Sequence, residues 1–324
     1  MITQDDFVAS RKSDWGELEA LLAGGRALHT MSAPAISRVA ALYRSVCADL
    51  VRAQGAGYGP EVVALLDGLA ARAHNALYSA PPYRLGAVGD LIRADFPRAL
   101  RRHARFFALG VTLFLVPAAI GFVGALRSRA FALHLLSPAM AEHIEEAYKQ
   151  GFGEGRSEAM DTAMAGFYVY NNIGIAFQCF ATGVLFGLGS VFFVVYNGLM
   201  IGTVAGLVTA AGGGWNLLTF TAGHGPFELT AIIISATAGM VMGYALVDTD
   251  GRSRFGSLRA KSRDLAYLVL GAALMLLVAA MIEGFWSPSR VPAPVKWAVG
   301  AAGYLVVGLY LATAGRRGAE ARRP

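Results

Sequence analysis

The chain has 324 residues, 55% of them hydrophobic, and its 28 lysines and arginines against 22 acidic residues give a net charge of +6. A mean hydropathy of +0.49 excludes an ordinary soluble domain and is typical of a multi-pass membrane protein. The positive charge is explained by basic residues beside membrane helices and does not require a nucleic-acid partner. The two cysteines, Cys47 and Cys179, fall in a predicted soluble helix and a predicted membrane helix, so no disulfide framework is expected.

Residues 1–105 are predicted to form a cytoplasmic helical domain. Apolar residues recur there at steps of three and four, which predicts three amphipathic helices. The repeating positions are Phe7, Trp15, Leu18 and Leu22, with Arg11 at the intervening step, then Ile36, Val39, Tyr43, Val46 and Leu50, then Val62, Leu66, Leu69, Ala73 and Leu77. A fourth, arginine-rich segment, 84–105, is predicted to lie along the inner membrane surface. No catalytic constellation is evident in this domain.

The rest of the chain, 106–314, is predicted to be a transmembrane helical bundle. Six apolar runs reach or approach the roughly 20 residues that cross the hydrocarbon of a bilayer. They are Phe106–Leu126, Phe167–Gly187, Val191–Ala211, Pro226–Val247, Leu265–Ile282 and Val295–Ala314. Residues 315–324 are predicted to be a basic tail without a fold of its own. The predicted fold class is therefore all-α, with about six spans.

Three clusters of basic residues set the predicted orientation. They precede the first run, fill the loop between the fourth and fifth runs, and follow the sixth run. With six crossings all three clusters fall on one side, and lysine and arginine near span ends are retained in the cytoplasm. Both termini and the loop 248–264 are thus predicted to be cytoplasmic. Segments 127–166 and 284–294 would then face outward, and Met140, Ile144 and Tyr148 predict an amphipathic helix lying on the membrane or against a partner helix.

One stretch, 171–228, contains the candidate site. Glu228 is the single formally charged residue between Thr162 and Val247, and His224 precedes it by four residues. A charged residue in a membrane span is costly and marks a candidate functional site. We predict an intramembrane polar site formed by Asn171, Asn172, Asn197, His224 and Glu228. The alternatives are that Glu228 only complements the helix dipole, and that the asparagines only join helices by hydrogen bonds.

Glycines repeat at steps of four in the same region. Such faces let membrane helices approach closely, within one chain or between subunits. The candidates are Gly183, Gly187, Gly198, Gly202 and Gly206. A homo-oligomer, with a dimer favoured, is predicted, and the last three glycines are the leading interface candidate. Segment 212–223 is too apolar for an ordinary loop and too short to span, which favours a re-entrant or interfacial segment.

The order of several short motifs resembles the stage II sporulation protein M family. The motifs are Phe7…Arg11…Trp15…Leu18, Tyr43-Arg44…Asp49-Leu50, His74…Leu77-Tyr78, Phe96-Pro97, Asn171-Asn172-Ile173, Asn197-Gly198-Leu199 and His224-Gly225…Glu228-Leu229. The long N-terminal helical domain resembles the branch of the family found in bacteria that do not sporulate. The resemblance implies a multi-pass inner-membrane protein that acts with partners that remodel peptidoglycan.

Two functions follow as hypotheses. The first is a non-enzymatic scaffold or partner of an envelope-remodelling machine, embedded in the lipid bilayer and associated with other envelope proteins. The second is a transporter, channel or lipid scramblase that uses the polar residues between Asn171 and Glu228. An intramembrane hydrolase is disfavoured because neither a His-Glu-x-x-His zinc motif nor a nucleophile elbow is present. No metal, cofactor or catalytic residue is predicted.

Overall fold

The computed structural model describes residues 2–23, 31–78, 86–150 and 158–316. Every regular element in these ranges is a helix, so the all-α fold class is confirmed. The contacts divide the chain into two compact units, Met1–Arg84 and Leu85–Pro324. Residues 151–157 of the predicted outer segment and 317–324 of the predicted tail lie outside the described residues.

The first unit consists of three helices, as the apolar periodicity predicts. They are α1 (Gln4–Leu22), α2 (Ala33–Gly55) and α3 (Pro60–Tyr78). The hydroxyl of Thr3 accepts a hydrogen bond from the Asp6 amide and so caps the start of α1. Phe7, Leu18, Leu42 and Leu66 are almost fully buried and form the centre of the core. The unit therefore has a hydrophobic core of its own.

A polar network lies beside this core. Asp49 on α2 is only 5% exposed, and its carboxylate accepts hydrogen bonds from Trp15 Nε1 at 2.9 Å and Arg11 Nε at 2.8 Å. The hydrogen bond to Asp49 is the main reason that the pKa of Arg11 lies above its ordinary value. Their contacts give these three residues a structural role in joining α1 to α2.

The second unit contains eleven described α-helices, several of them interrupted or extended by tighter or wider turns. They are α4 (Gly86–Asp90), α5 (Phe96–Arg102), α6 (Ala104–Arg127), α7 (Arg129–Leu133), α8 (Pro138–Gln150), α9 (Glu158–Ala181), α10 (Leu188–Ala210), α11 (Gly214–Thr221), α12 (Gly225–Val247), α13 (Arg254–Met281) and α14 (Ala293–Thr313). A π-helical turn, Leu91–Asp95, joins α4 to α5, a second, Ile282–Trp286, extends α13, and a 3-10 turn, Thr182–Val184, follows α9.

The segment before α6 packs into the second unit. Phe96 and Leu100 on α5 are buried in the same core as residues of α12, α13 and α14. The boundary in the structure therefore lies between Arg84 and Leu85, before this segment, whereas the sequence-based boundary follows residue 105. The physical reason is that α5 contributes apolar side chains to the second core.

Five helices are long and apolar enough to cross a membrane among the residues that the structure describes. They are α6, α10, α12, α13 with its π-helical extension, and α14. The predicted run 167–187 is not one of the five, and α9, which contains most of it, carries Asn171, Asn172 and Gln178. Helix α9 nevertheless packs against α12 and the end of α13: the carbonyls of Cys179 and Phe180 lie against Gly239 of α12, and Ala165 lies against Gly284 just after α13.

Basic residues meet at one end of the second unit, which we call the basic end. Arg102, just before α6, donates to Asp264 on α13 at 3.0 Å, and Arg101 donates to the carbonyl of Leu311 at 2.6 Å. Arg98 donates to the carbonyl of Gly315. The starts of α6 and α13 and the end of α14 therefore lie together, as the charge clusters predict. The other end, where α12 begins, is called the site end.

The glycines of α10 pack against α6 of the same chain. A methyl group added at Gly198, Gly202 or Gly206 would overlap the backbone carbonyl of Phe114, Ala118 or Phe122, respectively. Gly183 and Gly187 make the corresponding close approach to Gly239 and Gly243 of α12. The proposal that the Gly198, Gly202 and Gly206 face forms an oligomer interface is corrected here, because this face is already covered within the chain.

Two short helices lie at the site end. Helix α8 contacts α11, where Asn216 Nδ2 donates to the carbonyl of Tyr148 at 2.8 Å and the rings of Tyr148 and Phe220 meet edge to face. Helix α11 also contacts α14 through a hydrogen bond from Trp297 Nε1 to Thr219. Segment 212–223 is thus largely a short helix packed between neighbours, which satisfies its polar groups.

Candidate functional site

The turn into α12 positions two ionisable side chains. The backbone carbonyl of His224 accepts hydrogen bonds from the amides of Phe227 and Glu228, both at 3.0 Å, so the helical turn begins at His224. Residues four apart in a helix lie on the same face. His224 Nε2 is consequently 3.7 Å from Glu228 Oε2. His224 is 4% exposed, and 17% of the Glu228 side chain is exposed.

Small residues allow this turn to be packed tightly. Gly223 lies against the ring of Trp286, where a methyl group would overlap the indole, and Gly300 of α14 lies against the carbonyl of Ala222. The Tyr304 hydroxyl approaches Gly225. The turn is therefore held from two sides, by the end of α13 and by α14, which fixes the direction of the His224 side chain.

The π-helical turn at the end of α13 brings a second carboxylate to the same place. Its wide ring is closed by the Ser287 amide, which donates to the carbonyl of Ile282 at 2.8 Å. Glu283 is 8% exposed, and Ser287 is 1% exposed. The Ser287 hydroxyl is 3.1 Å from His224 Nδ1, so the end of α13 orients the imidazole. One ligand-type atom each from His224, Glu228 and Glu283 lies within 4.8 Å of the others.

Helix α9 contributes an amide to this cluster. Asn172 is 3% exposed, and its Nδ2 approaches Glu283 Oε2 at 3.5 Å. Asn171 is exposed and donates to Asn172 Oδ1 at 3.1 Å. Asn172 is therefore linked to the cluster through Glu283, and Asn171 through Asn172. The amide of Asn197 donates to the Phe193 carbonyl of its own helix at 2.8 Å.

A buried lysine stands beside the cluster. Lys296 in the first turn of α14 is 3% exposed and donates to the backbone carbonyls of Ser287 and Ser289 at 2.6 and 2.7 Å. Carbonyls at the end of a helix lack partners within the helix, so this ammonium satisfies the turn that follows α13. It links α14 to the segment that holds the His224 ring.

The structure adds Glu283, Ser287 and Lys296 to the residues that the sequence indicates. The sequence marks two of these three: Glu283 is an acidic residue at the end of an apolar run, and Lys296 is a basic residue at the start of another. Neither signal identifies the partner, because the contacts join residues from four separate helices. The resulting site, called the site cluster, consists of Asn172, His224, Glu228, Glu283 and Ser287.

These features define a class: a multi-pass α-helical membrane protein with a buried cluster of ionisable residues near one end of its bundle. Within that class, the chain belongs to the stage II sporulation protein M family, whose profile matches residues 106–288, more than half of the sequence. The match runs from the first span to just beyond Ser287 and includes the whole site cluster. It ends before Lys296.

Two further comparisons are informative. Residues 5–79 match a domain of unknown function (DUF8413), which coincides with the first helical unit. An uncharacterized protein of the archaeon Methanocaldococcus jannaschii is 28% identical over 121 residues, which cover 36% of this chain and 67% of that protein. No solved structure matches this chain.

Proposed function

We propose that this protein is a non-enzymatic scaffold in the bacterial cytoplasmic membrane that holds partners of an envelope-remodelling machine acting on peptidoglycan. The observation that carries the proposal is the two-unit architecture. A helical unit with its own core, Met1–Arg84, is attached to a membrane unit whose family is named after a sporulation protein. The first unit supplies a surface for partners, and the second anchors it.

The internal packing of the membrane unit supports the scaffold proposal. Helices α6 and α10 are in backbone contact along three turns, and the end of α9 with the turn that follows it approaches α12 as closely. Such contacts resist sliding because interlocked backbones cannot yield as flexible side chains do. A rigid anchor of this kind suits a protein that positions others. We also retain homo-oligomerisation as a proposal, through a surface other than the covered glycine face of α10.

A second candidate is a translocation function, for a solute or a lipid. It is favoured by the site cluster and by a groove of about 380 Å³ on the membrane unit. The groove lies between α5, α6, α12 and α14, with Arg101 near the basic end and Tyr304 and Thr230 farther along. Its apolar lining with a basic residue at one end fits a lipid better than a hydrophilic solute.

Complementation of a deletion strain in the native host distinguishes the two candidates. A scaffold needs its partner-binding unit, so a chain lacking residues 2–84 is expected to fail while the Glu228→Gln variant works. Translocation through the site cluster predicts the reverse result. Incorporation of a fluorescent D-amino acid into peptidoglycan measures the outcome, with membrane levels and gel-filtration profiles matched between variants. Restoration by the truncated chain would contradict the scaffold proposal.

We further propose six crossings with both termini in the cytoplasm. Arg102 and Asp264 are in contact, so an even number of crossings must separate them, and α6, α10 and α12 supply three. Helix α9 with the turn after it supplies the fourth, because Ala165 near its start lies against Gly284 at the site end and Gly187 lies against Gly243 near the far end of α12. The basic end then faces the cytoplasm, in agreement with the retention of arginine on that side.

Cysteine labelling in intact cells tests this topology. In a background with Cys47→Ser and Cys179→Ser, the Glu142→Cys variant is expected to react with an impermeant maleimide, because α8 lies at the outer, site end. The Arg259→Cys variant should react only after permeabilisation. Glu142 and Arg259 are both exposed in the structure, so burial within the protein would not explain a difference in labelling between the two variants. Equal labelling of the two variants from outside would contradict six crossings.

A further inference from the structure

We propose that His224, Glu228 and Glu283 bind a divalent transition-metal ion of the Zn²⁺ class at the site end of the membrane unit. The site joins the turn before α12, the first turn of α12 and the π-helical end of α13. It does not depend on whether the protein acts as a scaffold or in translocation. The bound ion would fasten α12 to α13 at their site ends.

The geometry of the three side chains fits one ion. Their ligand-type atoms all lie within 4.8 Å of one another, so an ion at their centre would be no more than about 2.8 Å from each. The distance of 3.7 Å from His224 Nε2 to Glu228 Oε2 exceeds a normal hydrogen bond. It is close to the roughly 3.3 Å that separates two ligands of a tetrahedral zinc ion with bonds of 2.0–2.1 Å. Small rotations of the side chains would bring the atoms to bonding distance.

The surrounding hydrogen bonds prepare the ligands for a metal. A metal-binding histidine commonly bonds a second group through its other ring nitrogen, which fixes the ring orientation. His224 does so through Nδ1 and Ser287, which leaves Nε2 directed at Glu228. The Glu283 carboxylate is approached by the Asn172 amide in the same supporting manner. The groups that hold the ligands come from α9 and from the turn after α13.

Charge indicates what kind of ion the site takes. Two neighbouring carboxylates, one buried and one partly buried, repel each other unless a cation or protons lie between them. Lys296 stands beside the cluster, and its ammonium donates to the carbonyls of Ser287 and Ser289 at 2.6 and 2.7 Å. One imidazole with two carboxylates suits zinc and similar ions, whereas calcium takes six to eight oxygen ligands. Three protein ligands leave a position for water, and the partial exposure of Glu228 gives an entry path.

Metal analysis of the full-length protein tests the proposal. Protein purified in detergent through a tag without histidine is stripped with EDTA, incubated with ZnCl₂ and freed of unbound metal. Elemental analysis should find about one zinc per chain in the unmodified protein. Each of the variants Glu228→Gln and Glu283→Gln should retain at least tenfold less zinc. A loss of this order is expected when a metal ligand, or a group that supports a ligand, is removed. Zinc should also raise the melting temperature of the unmodified protein but not of these two variants.

Two further variants separate metal binding from folding. Ser287→Ala keeps all three ligands but frees the imidazole, so the zinc dissociation constant is expected to rise about 10- to 100-fold. Glu142→Gln removes an exposed carboxylate away from the cluster and should bind zinc as the unmodified protein does. Gel filtration must show the same monodisperse peak for every chain compared. Zinc content in the unmodified protein no higher than in Glu283→Gln, with both folded, would overturn the proposal.

Discussion

Replacing Gly202 with leucine is expected to disrupt the membrane unit. Gly202 faces the Ala118 carbonyl of α6 so closely that even a methyl group would overlap it. Backbone atoms cannot move aside as a side chain can, so α6 and α10 would have to separate and lose contacts at Gly198 and Gly206 as well. We expect the free energy of unfolding to decrease by more than about 3 kcal/mol. A decrease of this size exceeds the effect of an ordinary substitution and is a large fraction of the stability of a typical domain. The melting temperature in detergent and the monodisperse fraction of the protein should both fall, and these two quantities measure the loss of stability.

The matched control is Gly308→Leu. Gly308 lies on α14, another membrane helix, and no atom outside its immediate backbone is within 4 Å of an added methyl group. This variant should keep the melting temperature of the unmodified protein, because its new side chain meets open space. Gly202→Ala should fall between the two. If Gly202→Leu stays folded and changes only the oligomeric mass by native mass spectrometry, the α6–α10 packing described here is contradicted.

The Asp49→Ala change is expected to have the second large effect, in the first unit. It removes the acceptor of the buried Trp15 indole and the partner of Arg11, which stands 25% exposed. Loss of a buried acceptor leaves its donor unsatisfied, and loss of one ion-pair partner leaves a partly buried charge. The free energy of unfolding should decrease by about 2–4 kcal/mol. Urea unfolding of the isolated unit 1–84, followed by circular dichroism, gives the value.

Two comparisons make this result specific. Asp49→Asn retains an oxygen for Trp15 and loses only the charge, so a smaller decrease of about 1–2 kcal/mol is expected. Asp67→Ala removes an exposed carboxylate and should change stability by less than about 0.5 kcal/mol. Equal stability of Asp49→Ala and Asp67→Ala would show that the network does not stabilise the unit. A fragment that lacks helical structure would contradict its independence.

The site cluster shows how far sequence reasoning extends. Helical spacing places His224 and Glu228 on one face of a helix, and in the structure the two side chains lie next to each other. Helical spacing cannot indicate Glu283, because its approach depends on the π-helical turn that ends α13 and on the packing of α13 against α12. Asn197 illustrates the opposite case. It looks equivalent to Asn172 in sequence, but its amide is satisfied by its own helix.

The sequence by itself determined that this protein is helical and membrane-embedded. Long apolar runs must satisfy their backbone hydrogen bonds internally, so they form helices, and the same periodicity gives the three helices of the first unit. Only the tertiary structure decided which helices pair. The glycine at position 202 permits the close approach of any neighbouring helix. The local sequence does not specify that this neighbour is α6 of the same chain. Glu283 joins His224 for the same reason: contacts between distant segments depend on the packing of the whole bundle.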